Sequence, residues 1–377
     1  MRCCQSIPTH TVPCVTELKR TPLHDRHVAL GAKLVDFSGW EMPIEYQGIV
    51  AEHTAVRESV GIFDVSHMGK LRIRGAAALD AVNAIVTNDI NRIGDGQAQY
   101  SLLCNDSGGA IDDLIVYRRS AEEIRIVPNA GNASVVAPYI AERLPAGVTL
   151  ENRHDEMGIL AIQGPRVDSV MEALGISHAH EYMSFIDVDF EGSEVMVCRT
   201  GYTGERGFEL VAPNDVIVRL WDAATAAGAV PVGLGARDTL RTEMGYALHG
   251  HELSTSISPV QARVGWAVGW TKPQFSGRDA LVAEKAAGPS RTLRGLLALE
   301  RGIPRGGMPV FGDELGGTLV GETTSGTFSP TLKNGIALAY LSPAIVEGAQ
   351  VVIDVRGRAL LCEVVKPPFL KDTSVNR

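Results

Sequence analysis

Several things are missing from this 377-residue chain, and each absence removes a class of function. No apolar run reaches the ~18 residues a transmembrane helix needs, which excludes a helical membrane span. There is no surplus of positive charge. Thirty-five Lys and Arg stand against 44 Asp and Glu, a formal net charge of −9, which argues against broad nucleic-acid binding. The cysteines Cys3, Cys4, Cys14, Cys104, Cys198 and Cys362 form no C-x-x-C pair, and the last three sit in apolar segments. That pattern points to buried thiols in a reducing, cytoplasmic setting rather than a disulfide framework. No G-x-G-x-x-G opens a helix after a strand, no G-x-x-x-x-G-K-[ST] loop cradles phosphates, and no G-x-S-x-G elbow presents a nucleophile. A His/Cys metal set is lacking too: His249-Gly-His251 has no third ligand nearby, so no metal is expected. Residues 1–20 lack the apolar stretch of a secretory signal and read as a disordered extension.

What the chain does have is length, glycine and carboxylates. It is too long for one core, and its 45% hydrophobic residues, 21% charged residues and 40 Gly describe several turn-rich globular units. Order is expected from Thr21-Pro22, a cap followed by proline in the first helical position, with a helix to residue 30 and another over 50–60. Residues 69–151 alternate strand-like runs (70–74, 99–104, 114–118, 124–128) with helical windows at 76–85 and 133–143. A similar mixture follows from 154 to about 250. It includes a helix over 214–227 and another that begins at Asp238, its cap, and carries Leu240, Met244 and Leu248. Beyond Pro289 only short strands remain, cut by Gly and Pro, at 292–298, 308–311, 317–322, 335–341, 350–355 and 359–365. The expected fold class is therefore α+β: two mixed units with a C-terminal all-β barrel.

One stretch poses a physical problem. In "SGGAIDDLIVY" (107–117) two carboxylates stand between a Gly-Gly turn and a run that reads as a buried strand. Neighbouring strand residues face opposite ways, so one of Asp112 and Asp113 must enter an interior or a cleft, where an unpartnered charge is unfavourable. Three further stretches combine glycine with polar and aromatic residues: "CRTGYTGERGFEL" (198–210), "VGLGARDTLRTEMGYALHGHEL" (232–253) and "GETTSGTFSPTL" (321–332). Glycines allow close backbone approach to a ligand, and loops between rigid strands are where sites are built. A set of one Asp, one Glu, one Tyr and one Arg suits a flat, nitrogen-rich heterocycle with an anionic tail. A carboxylate accepts paired N–H bonds, a Tyr supplies a ring face, and Arg clamps the tail. Separately, Arg291, Arg294, Arg301 and Arg305 stand against a single acid, Glu300; they form either a solvated strand face or a docking site for an acidic partner.

The chain resembles the aminomethyltransferase (T-protein) family of the glycine cleavage system. The resemblance rests on "TPLHDRHVALGAKLVDFSGWEMPIEY", "SVGIFDVSHMGK", "NDSGGAIDDLIVY", "NAGN", "IQGP", "RTGYTGERGFEL", "GLGARDTLR" and "TSGTFSPTL", in that order from Thr21 to near the end. It implies a three-domain cloverleaf: residues 21–68 with 153–280 as a discontinuous first domain, 69–152 as a second carrying Asp113, and 281–370 as the barrel. It implies transfer of the methylene carbon of an aminomethyl group, carried on the lipoyl arm of the H-protein, to the co-substrate tetrahydrofolate. The products are 5,10-methylenetetrahydrofolate, ammonia and the dihydrolipoyl arm. Partners would be lipoylated H-protein and folate, with neither nucleic acid nor membrane. Asp113 is implied as the catalytic carboxylate, and Glu209, Arg237, Tyr202, Tyr100, Asn129 and Tyr182 as folate-binding residues. Asp112 is left as an outward or turn-stabilising neighbour. The tail "KPPFLKDTSVNR" lacks the Tyr pair of some relatives. Two alternatives stand beside this reading: a stand-alone folate-dependent demethylase, and a non-catalytic folate-binding protein of iron–sulfur assembly. The latter is marked by K-G-C-Y-x-G-Q-E, where this chain has "RTGYTGERG".

Overall fold

A computed structural model describes residues 17–375. Its framework is three large sheets, beside a two-stranded antiparallel pair of Lys33–Phe37 with Trp40–Glu45. A six-stranded sheet runs in the order Phe185–Phe190, Ser193–Cys198, Gly207–Pro213, Met157–Gln163, Gly61–Asp64, Val230–Pro231, antiparallel except for the last pair. The helix Asn214–Ala226 lies on it because Val216, Ile217, Leu220, Trp221 and Ala224 form one apolar stripe, buried against Ile62, Leu160 and Phe208. A five-stranded sheet follows the order Gln97–Cys104, Ala110–Ser120, Glu123–Pro128, Leu71–Arg74, Thr149–Asn152. The helices Ala78–Asn83 and Ala133–Ala141 cover one of its faces. Six C-terminal strands, from Thr292–Ala298 to Ala359–Val365, close into a barrel, which leaves no sheet edge unpaired. The α+β class with antiparallel sheets and an all-β barrel is thus borne out.

The strand Ala110–Ser120 is buried on both faces. One side contributes Ile111, Leu114 and Val116 to the core beneath its own helices, and the other brings Tyr117 against Phe185, Cys198 and Leu240. That double burial explains why it reads as a continuous apolar run rather than an alternating one.

Three local expectations change. The helix placed at Asp238 begins four residues earlier, spanning Leu234–Glu243. Gly233, not Asp238, precedes its first turn, and the Gly233 N–H donates to the buried Glu52 carboxylate at 2.8 Å. A side chain there would collide with the Ile44 carbonyl, 2.4 Å from where a Cβ would sit. Leu248 lies beyond the helix. The strand expected over 317–322 extends through Leu319–Ser329, because its buried positions are the hydroxyls Thr323, Ser325, Thr327 and Ser329, which carry no apolar period. Of the extension expected over 1–20, residues 1–16 lie outside the described residues, while Lys19 pairs with Trp40 through backbone bonds of 2.9 and 2.8 Å to Gly39 and Glu41.

Candidate active site

The three sheets and the helix Leu234–Glu243 surround a cavity of about 1410 Å3. Asp113, Tyr100, Asn129, Tyr182, Tyr202, Glu209 and Arg237 all line it. Their segments are separated by up to 137 positions in sequence, so the fold alone brings them together.

The carboxylate pair sits at the head of the strand Ala110–Ser120, just after a tight turn in which the Asn105 side chain accepts the Gly109 N–H at 3.0 Å. Gly109 is required here: a Cβ would lie 1.9 Å from the Thr255 carbonyl oxygen. Asp113 looks into the cavity. One of its oxygens accepts the Tyr100 hydroxyl at 2.9 Å, the other the Asn129 amide at 3.0 Å. Asp112 departs from expectation, since it faces inward and is wholly buried. The turn Ala130–Asn132 folds across it, so that it accepts the Asn129 backbone N–H (2.9 Å), the Asn129 amide (2.9 Å) and the Asn132 amide (2.6 Å). Asn129 therefore bridges both carboxylates. Burial raises both carboxyls above the usual carboxylate range, Asp112 to about 8 with the like charge of Asp113 adding to the effect, against the pull of the Asn donors.

The opposite wall is built from the Gly-rich segment after Ser193–Cys198. Glu209, on the strand Gly207–Pro213, accepts the Thr200 hydroxyl, while the part-buried Arg206 pairs with Asp168 at 3.0 Å. The Tyr202 hydroxyl donates to the Ala247 carbonyl, and its ring stacks on Tyr246 at 5.7 Å. Arg237 lies 4.9 Å above the Tyr202 ring, and its Nη1 is buried without a hydrogen-bond partner among the described residues. Burial lowers the Arg237 proton affinity, with Glu209 acting the other way. Tyr182 is 42% exposed at the rim.

Two neighbours went unnoticed in the sequence. Trp266, 66% exposed, stacks on Tyr100 at 5.3 Å. Asn132 closes the cage around Asp112; its signal was the second Asn of "NAGN", whereas Trp266 lies in an irregular segment with no period to mark it. The basic stretch does not form one face. Arg291 bonds Gln261 at 3.0 Å and covers Tyr340, Arg294 is 15% exposed beside Glu347, and Arg305 turns to the cavity wall. Among the described residues no His, Cys, Asp and Glu cluster could hold a metal, and His249 and His251 bond separate carbonyls, of Ala110 and Thr324.

Residues 23–272 match the GCVT N-terminal domain, and residues 291–371 the glycine cleavage T-protein C-terminal barrel domain. The chain belongs to the glycine cleavage T-protein family. It is 55% identical over 360 residues to the aminomethyltransferase of Parafrankia sp. (strain EAN1pec), covering 94% of this chain and 98% of that one. It is likewise 55% identical over 365 residues to that of Frankia alni, covering 95% and 100%. The crystal structure of glycine cleavage system aminomethyltransferase T from Bartonella henselae superposes with a TM-score of 0.89 at 32% identity, over 94% of this chain and 99% of that one. This member of the T-protein family is thus an enzyme of aminomethyl transfer in the glycine cleavage system, and its relatives favour neither the demethylase nor the iron–sulfur alternative.

Proposed function

We propose that the central cavity binds tetrahydrofolate as co-substrate and receives the aminomethyl-lipoyl arm of H-protein at Asp113. The observation that carries this reading is the convergence of Asp113, Glu209 and Arg237, from three distant segments, on one cavity walled by Tyr100 and Tyr202. Arg237 offers an unpartnered buried N–H for a carbonyl or carboxylate of the ligand, and Glu209 accepts N–H groups of the pterin edge. Tyr100, Tyr202, Asn129 and Tyr182 pack and orient it. Folate supplies two nitrogens that accept one methylene. Asp113, fixed by Tyr100 and Asn129, places negative charge where positive charge develops as ammonia leaves.

The lipoyl arm comes from H-protein, and Arg305 at the cavity wall suits an acidic partner better than Arg294, which is spent on Glu347. We further propose the division into 21–68 with 153–280, 69–152 and 281–370; the strands of each sheet fall within one of these units. The buried free thiols Cys104, Cys198 and Cys362 are in keeping with a cytoplasmic location.

The test is ammonia release from aminomethyl-loaded H-protein, with and without tetrahydrofolate. Release that depends on folate is expected, and its absence removes the reading. Asp113→Asn should lower kcat by about 10²-fold or more while folate still binds; full activity would rule out the role given to this carboxylate.

A further inference from the structure

His249 stands in the cavity without a task in the scheme above. The turn that carries it is held firmly. Buried Glu252 accepts the Leu248 N–H at 3.0 Å and Arg241 at 2.9 Å with one oxygen, and the Ser325 hydroxyl at 2.6 Å with the other. Gly250 closes the turn onto the Leu253 carbonyl at 2.7 Å, and just upstream the Ala247 carbonyl accepts the Tyr202 hydroxyl. The imidazole is thereby pinned between the Tyr202 wall and the Asp113 strand.

Its bonding fixes its tautomer. Nε2 lies 3.2 Å from the carbonyl oxygen of Ala110, three residues before Asp113 on the same strand. A carbonyl can only accept, so Nε2 carries a hydrogen, and in the neutral ring the lone pair is on Nδ1. Nδ1 has no protein partner among the described residues and is not sealed from solvent. Both oxygens of Asp113, by contrast, already accept hydrogen bonds. The cationic form of His249 would also act on Asp113 through its field, drawing that carboxyl back toward ionisation.

The transfer gives such a group work to do. The C–N and C–S bonds of the arm break, and two C–N bonds to folate form. The two N–H protons of folate are released, one ending on ammonia and the other on the departing sulfur, with no net oxidation or reduction. We propose that His249 is the proton carrier of this site, taking a proton on Nδ1 from a folate nitrogen as its bond to carbon forms and delivering it to the lipoyl thiolate. This assignment rests on the folate and H-protein reading above. An imidazole exchanges protons readily near neutral pH, and a positioned acid–base group contributes roughly 10²–10⁴-fold to rate.

The experiment follows ammonia and free thiol released from aminomethyl-loaded H-protein and tetrahydrofolate by wild type, His249→Gln and His249→Ala. Glutamine keeps a donor for Ala110 and removes the base. It should lower kcat by about 10²-fold, with folate KM within about twofold and the thermal midpoint unchanged. Added imidazole should restore His249→Ala by about tenfold or more. A glutamine variant within about threefold of wild-type kcat, a loss confined to KM, or a folded alanine variant indifferent to imidazole would each overturn the assignment. If wild type itself shows no folate-dependent release, the failure belongs to the functional reading and not to His249.

Discussion

Arg237 and Arg241 sit one turn apart on the same helix and live in opposite worlds. Arg241, 2% exposed at its side chain, gives every branch of its guanidinium a partner: Asp238 at 2.8 Å, Glu252 at 2.9 Å and Ser325 at 2.7 Å. Burial works against its charge, yet Glu252, Tyr202 and Asp238 together raise its proton affinity above the ordinary value. Arg237 meets the same burial with less compensation, its proton affinity falls, and Nη1 is left unbonded. A helix spends one arginine on joining the barrel and keeps the other unsatisfied. The second pattern is what a ligand site requires, because a donor already bonded has little left to give.

The comparison can be broken most severely at Arg241. Arg241→Met strips Glu252 of its cation and should destabilise the fold by about 3–5 kcal/mol in denaturant unfolding. Arg237→Met should do the reverse: folate Kd rises roughly ten- to a hundredfold, while unfolding free energy changes by less than about 0.5 kcal/mol. Equal stability losses in the two variants would erase the distinction. Trp266→Ala removes the lid on Tyr100 and should weaken folate by about 0.5–1.5 kcal/mol, read by titration.

A pH-dependent effect concerns a third buried cation, Lys70, whose ammonium has a carbonyl partner, Ser66 at 2.7 Å. Burial brings its proton affinity down to about 7 from 10.5. Between those two values the unfolded chain binds more protons than the folded one, so this residue's contribution to stability rises as pH climbs from 7 toward 10.5. Below pH 7 it is unfavourable by a constant amount. Lys70→Met should remove that slope, and the stability gap between variant and wild type should narrow as pH rises over this interval, in melts taken at a series of pH values.

Much of this was legible beforehand, and the remainder was hidden for physical reasons. Apolar period revealed the helix Asn214–Ala226 and the barrel, because hydrophobic burial built both. It could not reveal the true start of Leu234–Glu243, which is set by Glu52, 181 positions away. Nor could it extend the strand to Ser329, whose buried row is hydroxyl. At the site, strand alternation correctly demanded that one of the adjacent aspartates be accommodated inside. It could not say that both would be, since the second is housed by Asn129 and Asn132 from another loop. The resemblance selected the residues now found around the cavity. Trp266 emerged only from its three-dimensional neighbour, and His249, weighed in the sequence as a metal ligand alone, took another place through its contact with Ala110.

The hydroxyl row of the strand Leu319–Ser329 bears on how this molecule could be divided or repaired. Ser325 serves Glu252 and Arg241, and Ser329 serves Glu243, so the barrel supplies hydrogen bonds to charges that belong to the preceding half. A chain cut near residue 289 would therefore lose more than a barrel. The remaining fragment would hold three charges stripped of their hydroxyl partners beside its own cavity. Grafting the barrel of a distant relative would restore these bonds only where the donor strand presents hydroxyl side chains at the same two positions.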